Sequence, residues 1–123
     1  MVIKLPFMRL FFFPKEQYYK LGQASIAKQY LYRITTSSMD DSLVLKSMNL
    51  LGLIYLDENK LDDAQKEFEG ILQKNKNSGD AYYGLGVIYE KKGELVKARA
   101  EWRKALRAQV NHQGALKKMA DYN

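Results

Sequence analysis

The stretch Leu51-Gly52-Leu53-Ile54-Tyr55 returns 34 residues later as Leu85-Gly86-Val87-Ile88-Tyr89, and this recurrence decides the fold. Laying residues 45–78 over residues 79–112 extends the match without a gap. Leu61 then meets Leu95, Ala64 meets Ala98, Glu67 meets Glu101, Leu72 meets Leu106 and Asn77 meets Asn111. Aromatic Phe68 falls on aromatic Trp102. Self-similarity at a fixed period marks a chain built from stacked supersecondary units.

Within each copy the apolar residues recur at helical spacing twice, with a break between. Leu51, Gly52 and Tyr55 share one face of a first helix, and Leu85, Gly86 and Tyr89 share its counterpart. Turns are expected at 57–59 and 91–93, where Asn59 and Gly93 are the residue types that tolerate a left-handed helix end. The second helix carries Leu61, Ala64, Phe68, Ile71 and Leu72, matched by Leu95, Ala98, Trp102, Ala105 and Leu106. Asn77 or Ser78, and Asn111, are suitable N-caps for the helices that follow. Gly52 and Gly86 face Ala64 and Ala98 where paired helices approach closely, while Tyr55, Tyr89, Phe68 and Trp102 fill the space beside the contact. A helix pair of this kind leaves an apolar face that only a stacked neighbour covers.

The pattern Leu51-Gly52-x-x-Tyr55…Ala64-x-x-x-Phe68, repeated as Leu85-Gly86-x-x-Tyr89…Ala98-x-x-x-Trp102, resembles the tetratricopeptide repeat, whose period is 34 residues. Met48 and Tyr82 stand where the family has tryptophan, and Lys76 and Val110 stand where it has proline. The resemblance implies an all-α fold. It would be an antiparallel helix-pair solenoid wound as a right-handed superhelix, with about three repeats and a C-terminal capping helix.

The chain is read as one domain of 123 residues. Residues 45–78 and 79–112 are the full repeats. Residues 14–41 form a degenerate copy, in which Tyr18, Gly22, Ala27 and Leu31 keep part of the spacing and Pro14 interrupts or opens a helix. Ser38 with Asp41 resembles a capping box. Residues 113–123 read as one closing helix with Ala115, Leu116, Met119 and Ala120 on one side.

The apolar N-terminal segment, residues 1–13, is broken by Lys4 and Arg9. It falls short of the roughly 20 apolar residues that a membrane-spanning helix needs. No small-residue cleavage site precedes Pro14, as a secretory signal would require.

Composition narrows the chemistry. Hydrophobic residues make up 46% and charged residues 28%, the balance of an ordinary globular protein rather than a disordered chain. The absence of cysteine removes disulfides, thiolate metal sites and cysteine nucleophiles. His112 is the only histidine, so it has no partner for a metal site or relay, and it is expected at the surface. Gly84-Leu85-Gly86 lacks the third glycine and preceding strand of a dinucleotide site. Asp40-Asp41 and Asp62-Asp63 sit near helix starts, where acids favour the helix dipole. No catalytic residue, cofactor or metal is therefore expected, and the chain is read as non-enzymatic.

The resemblance implies that the first helix of each pair lines a concave groove holding a peptide or helix of a partner protein. Its expected lining is Lys46, Asn49, Leu53, Leu56 and Asp57, then Asp80, Tyr83, Val87, Glu90 and Lys91, with Lys117 and Asp121 on the last helix. An apolar centre of Leu53, Leu56, Tyr83 and Val87 ringed by charge suits such a ligand. A family subtype grips chaperone C-terminal carboxylates with polar residues. Leu53, Tyr83 and Gly84 stand where those would be, so that role is not expected.

The net charge is +6, with the excess towards the two ends of the chain and residues 45–78 near neutral. Arg99, Arg103 and Arg107 fall on one helix face as a candidate anion-contacting stripe, at a cost of about 0.2–0.5 kcal/mol per like-charged pair. Direct nucleic-acid binding is not favoured, since no RNA-binding module is recognisable. The function read from the sequence is an adaptor or assembly scaffold. Self-association is an alternative, either as a homo-oligomer or with residues 1–13 filling the chain's own groove. Attachment to a membrane surface is another. The expected location is cytoplasmic, with membrane association as its alternative.

Overall fold

The structure, a computed structural model, describes residues 15–123, with side-chain positions from residue 23. The readings placed on residues 1–13 lie outside the described residues. Among the described residues there are six helices: α1 (Lys15–Ser37), α2 (Asp41–Asp57), α3 (Leu61–Lys74), α4 (Gly79–Lys91), α5 (Leu95–Ala108) and α6 (Gln113–Asp121). Each packs on its neighbours in the chain, and α2 also meets α4 directly. This is an all-α helical-repeat solenoid.

Equivalent residues end equivalent helices. Asn59 has φ of 59° and Gly93 has φ of 81°, both in the left-handed region. That geometry lets Lys60 N–H donate to Tyr55 O at 2.8 Å and Glu94 N–H donate to Tyr89 O at 2.8 Å, which closes α2 and α4 in the same way. The helices then restart from capped residues. Asp40 Oδ1 accepts from Leu43 N–H, and Ser78 Oγ accepts from Ala81 N–H, each at 3.2 Å. Ser38, expected to open the capping box, instead accepts from Asp40 N–H at 3.0 Å, so Asp40 is the cap of α2. The turn at Lys76, which lacks the family's proline, is tied by Tyr82 Oη donating to Lys76 O at 2.8 Å.

Two apolar clusters form, one per stacked repeat. The first gathers Leu56, Ala64, Phe68, Ile71, Ala81 and Ile88 from α2, α3 and α4. The second gathers Ala98, Trp102, Ala105 and Ala115 from α5 and α6, covered by Tyr82, Tyr83 and Tyr89 of α4. Each repeat thus completes its core with the first helix of the next. Phe68 and Trp102 are wholly buried, and burial of side chains this size contributes about 1.5–3 kcal/mol each.

The close approaches expected at Gly52 and Gly86 are present. A Cβ on Gly52 would stand 2.6 Å from Phe68 Cζ, and one on Gly86 would meet the Trp102 indole.

Within residues 14–41, expected to form a degenerate repeat, the described residues hold one helix, α1, over Lys15–Ser37. Ala24, Ala27, Lys28, Leu31, Ile34 and Thr35 form its less exposed face. Lys28 Nζ bonds Glu58 Oε1 at 2.9 Å and lies 5.5 Å over the Tyr55 ring, fastening α1 to the end of α2.

Candidate functional site

Helix α2 is apolar around most of its circumference, so it serves two surfaces at once. Val44, Ser47, Leu51, Gly52 and Leu56 are buried. Leu43, Leu50 and Leu53 remain on the open side, with Leu50 48% and Leu53 38% exposed. Beside them lies a cleft of about 350 Å³ lined by Leu45, Lys46, Asn49, Leu50, Ile71, Asn75, Ser78 and Asp80. It joins the first helices of the two repeats across the end of α3.

The structure sorts the expected groove residues into three groups. Lys46, Asn49 and Asp80 line the cleft, and Leu53 is exposed on α2 one turn beyond Asn49. Leu56 is corrected: it is only 6% exposed and belongs to the first core cluster with Phe68. Val87 is partly buried against that same cluster, which reduces what it can offer a ligand. Tyr83, Glu90 and Lys117 are engaged at the C-terminal end. Tyr83 packs against the His112 ring, with centroids 5.2 Å apart. Lys117 is largely exposed, with its ammonium 3.4 Å from Asp121.

Glu90 is the centre of the contacts that seat α6. Lys118 Nζ lies 2.7 Å from Glu90 Oε1, and Tyr122 Oη donates to Glu90 Oε2 at 2.6 Å. Desolvation pushes the Glu90 carboxyl up, but the Lys118 and Tyr122 hydrogen bonds, with the Lys118 and Lys91 charges, outweigh it and leave its pKa lowered. Burial likewise opposes the Lys118 charge, while the Glu90 hydrogen bond and charge prevail and raise its pKa. Tyr122 stacks on Trp102 at 5.9 Å, and Lys118 lies 5.8 Å over the same indole.

His112 is corrected from a surface residue to a buried one, 7% exposed. It also displaces Asn111 as the cap of α6, since its Nδ1 accepts from Ala115 N–H at 3.1 Å. That hydrogen bond requires an unprotonated Nδ1, so the neutral ring carries its hydrogen on Nε2 and donates it to Asp80 Oδ1 at 2.8 Å. Ser78 does the same capping work 34 residues earlier, so the cap position repeats although the residue type does not.

The arginine stripe is divided. Arg103 and Arg107 are exposed, but the Arg99 guanidinium donates to Tyr122 O. Nearby, Gln65 donates to Glu69, and Lys104 pairs with Glu101.

Sequence reasoning missed Leu43 and Leu50 on the open face and Gly84 in the packing. Leu50 was legible as the residue one turn before Leu53. Gly84 stands where the chaperone-binding subtype has a polar residue, and in the structure it is buried against the Phe68 ring that also touches Gly52.

No metal-holding cluster of His, Asp or Glu exists among the described residues. No helix among them is long and apolar enough to cross a membrane.

Helix pairs with this period, stacked through small-residue contacts and open along their first helices, define a helical-repeat interaction module. The family model for the tetratricopeptide repeat matches residues 49–115, and the chain belongs to that family. It is 32% identical over 78 residues to the uncharacterized protein ycf37 of Pyropia yezoensis, a match covering 63% of this chain and 44% of that protein. It also resembles the crystal structure of YrrB, described as a TPR protein with an unusual peptide-binding site. The TM-score is 0.69 and the identity 29%, over 82% of this chain and 50% of that one. The chain therefore spans half or less of the length of both. Proteins of this family are in general non-catalytic modules for protein–protein interaction.

Proposed function

We propose that this protein is a non-enzymatic adaptor that holds a segment of a partner protein along the open faces of α2 and α4. The observation that carries the reading is the exposed Leu50 and Leu53 beside a cleft walled by Leu45, Leu50 and Ile71 and bounded by Lys46, Asn49 and Asp80. Apolar side chains left open next to a preformed concavity, with charge at its rim, are the pattern of a peptide-binding surface. YrrB is described as having a peptide-binding site, which supports the same class of ligand here.

The test is selection of binders from a displayed peptide library on the intact chain, followed by Leu50→Asp and Leu53→Asp. Both positions are exposed, so helicity should persist while selected peptides are lost. Undiminished binding by the double variant would refute the groove.

Self-association is the second reading, favoured by Ile26 and Tyr30 on the outer face of α1, 57% and 61% exposed. Sedimentation equilibrium with Ile26→Asp and Tyr30→Asp tests it. A monomer mass at every concentration of the parent chain would dismiss it.

A further inference from the structure

Helix α1 ends at Ser37 as α3 ends at Lys74 and α5 at Ala108. Counting back from these ends, Ala27 matches Ala64 and Ala98, and Leu31 matches Phe68 and Trp102. In this register Ile26, Tyr30 and Arg33 match Lys97, Glu101 and Lys104. Lys97 lies 5.6 Å over the Tyr89 ring and Lys104 5.9 Å over the Tyr82 ring, so that side of α5 meets α4, the first helix of its own repeat. On α1 the same side is open. Gly22 matches Asn59 and Gly93, which turn the chain, yet it lies within α1 and the helix runs straight through it.

The open side has also lost its charges. Where α3 carries Asp62, Asp63, Lys66, Glu67 and Glu69, α1 carries Ser25, Ile26, Gln29, Tyr30 and Tyr32. Ile26, Tyr30 and Tyr32 are each more than half exposed. From Gly22 to Tyr30 the one charged side chain is Lys28, and it is held by Glu58. A helix face that stays in water is ordinarily polar or charged. This one is also palindromic about Ile26. Gly22 lies four residues before it and Tyr30 four after, while Gln23 and Gln29 lie three to either side.

Residues three and four apart are neighbours on a helix surface, and a two-fold interface requires residue i to meet j while j meets i. We propose that two copies of the chain pair through α1, antiparallel about a two-fold axis at Ile26, with Tyr30 of each over Gly22 of the other. The proposal rests on the self-association reading above and gives it a face and a register. Each α1 then takes, on the other chain, the place that a first helix holds in the full repeats. Gln23 and Gln29 stand opposite one another at the rim, where each amide can donate and accept. A large ring on a glycine is the contact this fold already uses, at Phe68 with Gly52 and at Trp102 with Gly86. Glycine inside a helix costs about 1 kcal/mol relative to alanine, and the close approach offsets that cost.

Sedimentation equilibrium of the full parent chain should show a dimer. The chain has no cysteine, so a single introduced thiol reports one position. Ile26→Cys should give a disulfide-linked dimer on oxidation, because its two copies meet on the axis within the roughly 4.4–6.8 Å between Cα atoms that a disulfide spans. Tyr30→Cys should not, because its two copies lie about 12 Å apart along the helices. Gly22→Ala favours an isolated helix, yet it should weaken dimerisation about tenfold by filling the notch under Tyr30. A parent chain that is monomeric at every concentration overturns this pairing and self-association together. A parent chain that associates overturns the pairing alone in any of three cases: Ile26→Cys stays unlinked, Tyr30→Cys links as readily, or Gly22→Ala associates as tightly as the parent.

Discussion

The imidazole of His112 joins the cap of α6 to the first turn of α4, with Nε2 2.8 Å from Asp80 Oδ1 across 32 residues of sequence. Its other nitrogen accepts from Ala115 N–H. One side chain therefore closes a helix end and ties it to the helix beneath. His112→Ala should cost about 0.5–2 kcal/mol from loss of the cap alone. His112→Asn keeps a capping oxygen, so it should recover part of that loss while leaving Asp80 without its partner. Urea unfolding of the two variants checks the order, and equal stability would argue that the cap contributes nothing.

Phe68 touches Gly52 on α2 and Gly84 on α4, which makes one ring the spacer between successive repeats. A methyl at position 84 has no room without displacing that ring. Gly84→Ala should destabilise by about 1–3 kcal/mol through overpacking. Phe68→Leu in the same chain should relieve the clash, so the double variant should lose less than the sum of the singles. A double-mutant cycle by chemical denaturation measures this coupling.

The seating of α6 should depend on pH at both extremes. Glu90 has a pKa lowered in the folded chain, so its contribution is present above the ordinary 4.5 and is lost as pH falls through the lowered value. Lys118 has a raised pKa, so its contribution is present below 10.5 and is lost as pH rises through the raised value. Tyr122 is also raised, mainly by its hydrogen bond to Glu90, and its share starts to fade above the ordinary 10.0. Trp102 is the chain's only tryptophan and contacts Tyr122 and Lys118, so its fluorescence should report the release of α6. Glu90→Gln should flatten the acidic limb of that profile.

Glu67 behaves in the opposite sense. Burial, followed by the nearby Asp63 carboxylate, raises its pKa above 4.5. The folded chain therefore binds this proton more tightly than the unfolded chain, and stability declines as pH rises through that range. Glu67→Gln should raise the thermal midpoint at pH 7 relative to the parent, and the advantage should vanish once both forms are uncharged in acid. Calorimetry at the two pH values decides it.

Much of the architecture follows from local chemistry, which one copy of a repeat already contains. Asn59 and Gly93 end their helices because each can adopt positive φ. Gly52 with Phe68, and Gly86 with Trp102, pair small against large because two helices of one hairpin must touch. These relations lie within about 20 residues of sequence, and the 34-residue period states each of them twice.

What only the tertiary structure decided lies between repeats. Leu50, Leu53 and Leu56 follow one another at helical spacing, yet two stay open and one is buried with Phe68. On a helix apolar around most of its circumference, periodicity does not say which side meets the next repeat. The rotation of one repeat on another does. The same rotation brought Gly84 against Phe68 and His112 over Asp80. The repeat and its hairpins were thus determined by the sequence alone. The lining of its candidate site came from the stacking, because contacts between repeats are set by how whole helices pack rather than by any local pattern.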